Sequence, residues 1–249
     1  MSDLSVPMIA ATVATFFVAG IVKGVTGMGL PTVAMGVLGS LISPLAAATL
    51  LIVPSFVTNV WQLFAGPSFS SILRRLWPMM LAIIAGTVLG SSFIASSDTI
   101  LTTATLGGAL AFYSLYTLFA RQLNVPMKIE RWLSPSIGAA TGLITGVTGV
   151  FTLPAVPYLQ ALGLSKDDLV QALGLSFTIS TIALAAGIGA QGALQLDQMT
   201  LSVLAVIPAL AGMWAGRFIR DRISPLTFRR GFLALLFLLG AEMAVRPLF

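Results

Sequence analysis

The chain has 249 residues, of which 57% are hydrophobic and 8% charged, with mean hydropathy +1.00, net charge +5, no cysteine and no histidine. A soluble domain carries roughly 25% charged residues, so a water-facing globule is excluded. The missing thiols and imidazoles exclude disulfides, thiolate metal sites, His-ligated haem and Ser–His or Cys–His nucleophilic catalysis.

In chain order, apolar stretches run at about 6–22, 30–43, 45–65, 76–96 and 99–120. A polar, basic segment with Arg121, Lys128, Glu130 and Arg131 follows. The pattern resumes at about 133–145, 150–163, 168–190, 199–217 and 226–246. Several stretches approach the roughly 20 residues that cross hydrocarbon as a helix. The strict polar–apolar alternation of a membrane barrel is absent. The N-terminal MSDLSVP has no basic run, so the first stretch is expected to be retained rather than cleaved as a leader. The expected fold is therefore all-α: a polytopic membrane protein with repeats at 1–122 and 133–249, joined by a cytoplasmic linker at 123–132.

The two halves look related. Gly20-x-x-x-Gly24-Val25-Thr26-Gly27 matches Gly142-x-x-x-Gly146-Val147-Thr148-Gly149. Ser55-Phe56 answers Ser176-Phe177, and Ala85-Gly86-x-x-x-Gly90 answers Ala211-Gly212-x-x-x-Gly216, in the same order. Three matches in register point to an internal duplication. The loop charges are reversed between halves. Arg74-Arg75 are basic and the next loop carries Asp98; their counterparts are Asp197 and the Arg217, Arg220, Arg222 group. Short basic loops stay cytoplasmic, so the halves are expected to have opposite orientations, with about five segments each. The same rule accounts for the net positive charge, and the basic, aromatic-interleaved face that nucleic acid needs is missing.

The densest motif is Lys23-Gly24-Val25-Thr26-Gly27-Met28-Gly29-Leu30-Pro31, and its counterpart runs from Thr145 to Pro154. Glycine permits positive φ and proline removes a donor, so the first two segments of each half are expected to form a hairpin broken at the motif. Amides freed by a break cannot face lipid, and a helix N-terminus attracts anions. Gly24, Gly27, Gly29, Gly146 and Gly149 are therefore expected at a binding site; the competing reading is close helix packing, which is favoured for Gly86, Gly90, Gly212 and Gly216. Lys23 either attracts an anion or snorkels to an interface. Thr26 and Thr148 either bind substrate or bond back to their own helices. Asn59 and Gln62 lie in one apolar stretch, with Ser176, Thr178, Ser180 and Thr181 in the matching one and Gln171 just before. Such groups bridge helices or line a route, and Asn59, Gln62, Ser176 and Ser180 are read as lining.

No Asp, Glu or His falls at a convincing midplane position, which disfavours a proton-coupled pump, and paired carboxylates for hydrolysis are absent. One negative charge leaving down roughly 100 mV yields about 2.3 kcal/mol. That sustains an outward gradient of nearly fifty-fold, at about 1.4 kcal/mol per decade, so an anion site without a coupling acid fits efflux.

On Gly20, Lys23, Gly24, Gly27, Gly29, Pro31, Gly142, Gly146, Gly149, Pro154 and Pro157, the sequence resembles the sulfite exporter TauE/SafE family of membrane transporters. The resemblance implies transport of sulfite, sulfonates or related small organic anions, a bacterial inner-membrane location and no cofactor. This chain departs from the family's more glycine-rich pattern at Met28, Leu30, Val150 and Phe151. The expected partners are a small anionic solute and the lipid bilayer; small-residue stripes permit a homodimer without requiring one. A carrier and a passive anion channel remain alternatives, and an enzyme is not expected.

Overall fold

The computed structural model describes residues 6–119, 124–194 and 196–246. Among these there is no strand. The helices are α1 (Val6–Thr26), α2 (Leu30–Leu41), α3 (Pro44–Leu63), α4 (Phe69–Ser96), α5 (Thr99–Phe119), α6 (Met127–Thr148), α7 (Ala155–Ala161), α8 (Lys166–Ala190), α9 (Leu196–Leu204), α10 (Val206–Arg220) and α11 (Pro225–Val245). Five stretches are long and apolar enough to cross a membrane: α1, α3, α4, α8 and Gln198–Arg220, which spans most of α9 and all of α10. Large apolar side chains cover the outside. Leu81, Leu89, Ile207, Leu235 and Leu238 are each more than half exposed, a surface that lipid solvates and water does not.

Every apolar stretch contains a helix, although the one at 150–163 is helical only over Ala155–Ala161, and the boundaries move for identifiable reasons. The stretch at 199–217 is two helices that meet at Ala205. Pro208, near the start of α10, cannot donate to the Leu204 carbonyl four residues back, so the ladder is interrupted there. The linker expected at 123–132 is helical from Met127 onward. Its first part is tied down, because Val125 donates its N–H to the Ala161 carbonyl at 2.9 Å. Arg121, just before that linker, lies outside the described residues. Arg74 and Arg75, expected in a loop, lie in the second turn of α4. Asp167 and Asp168 occupy the first turn of α8, where the helix dipole favours acids, and the Asp168 N–H donates to Ser165 at 3.1 Å.

α1 stops at Thr26 and α6 at Thr148 because a glycine follows each in the left-handed region. Gly27 has φ 79°, and Gly149 has φ 72°. Each glycine N–H closes the last turn, Gly27 onto Lys23 at 2.8 Å and Gly149 onto Thr145 at 2.7 Å. Gly29, at φ 104°, turns the chain into α2. Pro31 then sits in the first turn of α2, and Pro154 precedes α7, so these prolines begin helices rather than end them.

The packing is pairwise: α1 on α10, α4 on α6 and α8, α5 on α11, and α3 on both α8 and α9. Glycines bring four of these pairs to backbone contact, α5 with α11 through Gly107 and Gly240 and α3 with α8 through Gly174 among them. A Cβ at Gly20 or Gly24 would meet the α10 backbone at Ala209 or Met213, and one at Gly212 or Gly216 would meet α1. A Cβ at Gly142 or Gly146 would likewise meet α4 at Ile83 or Thr87, and one at Gly86 or Gly90 would meet α6. The small-residue motifs of the two halves therefore mesh with each other across the duplication, α1 with α10 and α6 with α4.

Candidate functional site

The break between α1 and α2 hangs beneath the polar stripe of α3. Lys23, in the last turn of α1, is buried within the protein at 2% exposure. Its ammonium donates to the Thr58 hydroxyl at 3.0 Å and, at shorter range, to Asn59 Oδ1. Asn59 is fully buried, and with Oδ1 turned to the ammonium its Nδ2 has no partner. Gln62, one turn further on, bridges: Nε2 donates to the carbonyls of Gly27 in the break and Val170 in α8, both at 3.1 Å. Its Oε1 is unpartnered.

α8 carries a matching pair. Ser176 and Ser180 are fully buried, one turn apart, and neither hydroxyl has a partner. The offset that carries Ser55 onto Ser176 also carries Asn59 onto Ser180. Ser55 is fully buried and unpartnered in the same way. Two contacting helices thus present four buried positions at equivalent places, Ser55 and Asn59 on α3 and Ser176 and Ser180 on α8, each with an unsatisfied polar atom. Leaving one such group unpaired costs about 1–3 kcal/mol, and unpartnered buried hydroxyls also occur at Thr87, Ser134, Thr141, Thr152 and Tyr158. The other polar residues of α8 are satisfied. Thr178 and Thr181 donate to the carbonyls four residues back at 2.7 Å, and Gln171 donates to the Leu63 and Gly66 carbonyls and accepts the Ser68 N–H.

The two threonines of the glycine motifs are spent locally. Thr148 Oγ1 donates to the Ile144 carbonyl at 2.7 Å and accepts the Val150 N–H at 3.2 Å. Thr26 Oγ1 lies 2.8 Å from the Val22 carbonyl and accepts the Met28 N–H at 3.3 Å. Each hydroxyl closes the end of its own broken helix. Gly24 and Gly146 face the backbones of α10 and α4, so what they offer is close approach rather than a ligand contact. Gly27 faces open space, Gly29 packs on Val22, and Gly149 packs on Met35 of α2. Through Met35 and Gly149 the first half's second helix touches the second half's break. Beyond each break, buried residues have N–H groups with no protein acceptor among the described residues: Gly29, Leu30 and Thr32 ahead of α2, and Phe151, Thr152, Leu153 and Ala155 ahead of α7.

Ser55 and Thr58 belong to the cluster although their residue types gave no chemical signal. The internal repeat marked Ser55; nothing distinguished Thr58 beyond its place next to Asn59. No group of three or more acidic residues capable of holding a metal ion occurs among the described residues.

The fold is all-helical, with five stretches long and apolar enough to cross a membrane and a lysine buried among neutral partners. The chain belongs to the sulfite exporter TauE/SafE family, whose family model matches residues 12–243. It is thus a multi-pass membrane protein of a transporter family, and its family's members are not enzymes. Neither a curated protein nor a solved structure matches the chain.

Proposed function

We propose that the protein exports small anions, foremost sulfite or organosulfonates, across a bacterial inner membrane by alternating access. The observation that carries this reading is Lys23, buried and held by Thr58 and Asn59 of α3, where Asn59 keeps an unpartnered amide nitrogen. A buried ammonium with neutral partners and spare donors is complementary to an anion. The bound solute lies between Lys23, Asn59, Ser55, Ser176 and Ser180, with the freed amides that follow Gly27 and Gly149 close to the ends of the route.

Two inverted repeats, 1–122 and 133–249, supply the motion. Support comes from the packing: exchanging α1 with α6, α3 with α8, α4 with α9–α10 and α5 with α11 returns the same set of major helix contacts. Transporters built this way bind at the repeat interface and rock one repeat against the other. α1–α2 and α6–α7 are then the broken hairpins of the two repeats. The absence of an acidic residue from this cluster favours efflux driven by the membrane potential over uptake.

Purified protein in proteoliposomes tests the reading. Sulfite or a sulfonate raises the unfolding temperature in a screen that includes thiosulfate, carboxylates and phosphate. Its flux saturates and is stimulated by substrate on the opposite side. Flux that neither saturates nor shows trans-stimulation assigns a pore instead of a carrier. Lys23→Ala is expected to lower transport at limiting substrate tenfold or more while the protein stays folded. Unchanged transport removes Lys23 from the site.

A further inference from the structure

The buried charge of the site can be counted. Among the described residues only Lys23 and Glu130 are buried and charged. Glu130 is matched by Arg75, whose Nε and Nη2 meet its two oxygens at 2.6 and 2.7 Å. Lys23 has no carboxylate partner. Its two contacts are both neutral acceptors. Asn59 Oδ1 carries no hydrogen, and the Thr58 hydroxyl gives its own hydrogen to the Pro54 carbonyl at 2.7 Å. Both contacts therefore use N–H groups of Lys23, and an ammonium has a third. The remaining groups of the stripe, Asn59 Nδ2 and the hydroxyls of Ser55, Ser176 and Ser180, are donors without net charge.

We propose that this site selects its substrate by valence: it takes a monoanion with an oxyanion head, such as a sulfonate or hydrogensulfite, and rejects a dianion of the same shape. The proposal rests on the assignment of Lys23 to the substrate site. A monoanion and a protonated Lys23 form a neutral pair, which leaves no net charge buried in a medium of low dielectric constant. A dianion leaves one negative charge uncompensated, because no second buried Lys or Arg faces it among the described residues. A neutral molecule leaves the ammonium unpaired. Neutral hydroxyl and amide donors orient the oxygens of the head without altering this count.

Three nearly isosteric sulfur compounds read the valence directly: dimethyl sulfone (neutral), methanesulfonate (one charge) and sulfate (two charges). Thermal-shift titration of the full-length protein in nanodiscs is expected to give methanesulfonate an affinity at least tenfold above both others. Acetate against malonate repeats the comparison without sulfur. Asn59→Asp puts a permanent carboxylate against Lys23 and is expected to lower methanesulfonate affinity tenfold or more while the ligand-free unfolding temperature holds or rises. Lys23→Met is expected to abolish the preference for one charge. The wild-type series needs no variant to fold. Sulfate binding as tightly as methanesulfonate, or an undiminished monoanion preference in Asn59→Asp, overturns the valence rule and leaves anion transport standing. Failure of anions of either valence to bind overturns the assignment of the anion site as well.

Discussion

Gly24 and Gly108 are both helical glycines in apolar surroundings, yet a side chain would fare differently at each. At Gly24, and likewise at Gly146, an added methyl meets the backbone of the facing helix, which cannot rotate away. At Gly108 and Gly231 nothing lies within 4 Å of an added Cβ. Gly24→Ala and Gly146→Ala are therefore expected to destabilise the protein by about 1–3 kcal/mol through overpacking. Gly108→Ala and Gly231→Ala are expected to be neutral or to stabilise by about 0.5–1 kcal/mol, because alanine is the better helix former. Thermal unfolding in detergent distinguishes the two pairs. The same scale shows what the sequence could not settle. Whether Lys23 snorkels or turns inward depends on where Thr58 and Asn59 of another helix lie, a relation between segments that no local pattern encodes. Whether Thr26 and Thr148 face a ligand or their own helix depends on backbone geometry at the break, where the left-handed Gly27 and Gly149 turn the following N–H onto the hydroxyl.

At the scale of the element, proline decides where carbonyls need outside help. Pro54 lies inside α3 and cannot donate to Leu50. Ser202 of α9 takes over: its hydroxyl donates to the Leu50 carbonyl at 2.8 Å and accepts the Val53 N–H at 3.1 Å. Ser202 is fully buried there, so the bond holds α9 against the kinked turn of α3, just ahead of the Ser55–Asn59 stripe. Ser202→Ala is expected to cost about 1–3 kcal/mol, since it strands a buried carbonyl. In a Pro54→Ala background the helix can make that bond itself, and the Ser202→Ala penalty is expected to shrink markedly. Additive losses in this double-mutant cycle would show that the hydroxyl does not serve the proline. The segments themselves were readable, because a run of apolar residues long enough to cross a bilayer has few alternatives to helix. Their ends were less so. The amphipathic start of α6 reads as a polar linker because Lys128, Glu130 and Arg131 share it, yet Arg75 of α4 neutralises Glu130 and lets the helix begin six residues earlier than the apolar pattern.

For the whole molecule, the arrangement turns on whether the duplicated halves insert in opposite senses. The small-residue spacing was legible because packing forbids a side chain at Gly20, Gly24, Gly142 and Gly146. The partnership between α1 and α10, or α6 and α4, was not, since small residues announce close approach but not which helix approaches. Charge alone gives the orientation. Arg74 and Arg217 are exposed on one class of connection, and Asp98 and Gln191 are exposed on the other. If short basic ends remain inside, cysteines placed at 74 and 217 are protected from a membrane-impermeant thiol reagent in intact cells and react once the membrane is opened. Cysteines at 98 and 191 react in intact cells. The natural chain contains no cysteine, so each single substitution reports without background. All four positions are exposed, so poor reactivity cannot be ascribed to burial in the fold. Labelling of 74 and 98 from the same side would remove the opposed orientation of the repeats, and with it the rocking mechanism. The contacts of Lys23 with Thr58 and Asn59 would remain, because they involve α1 and α3 alone.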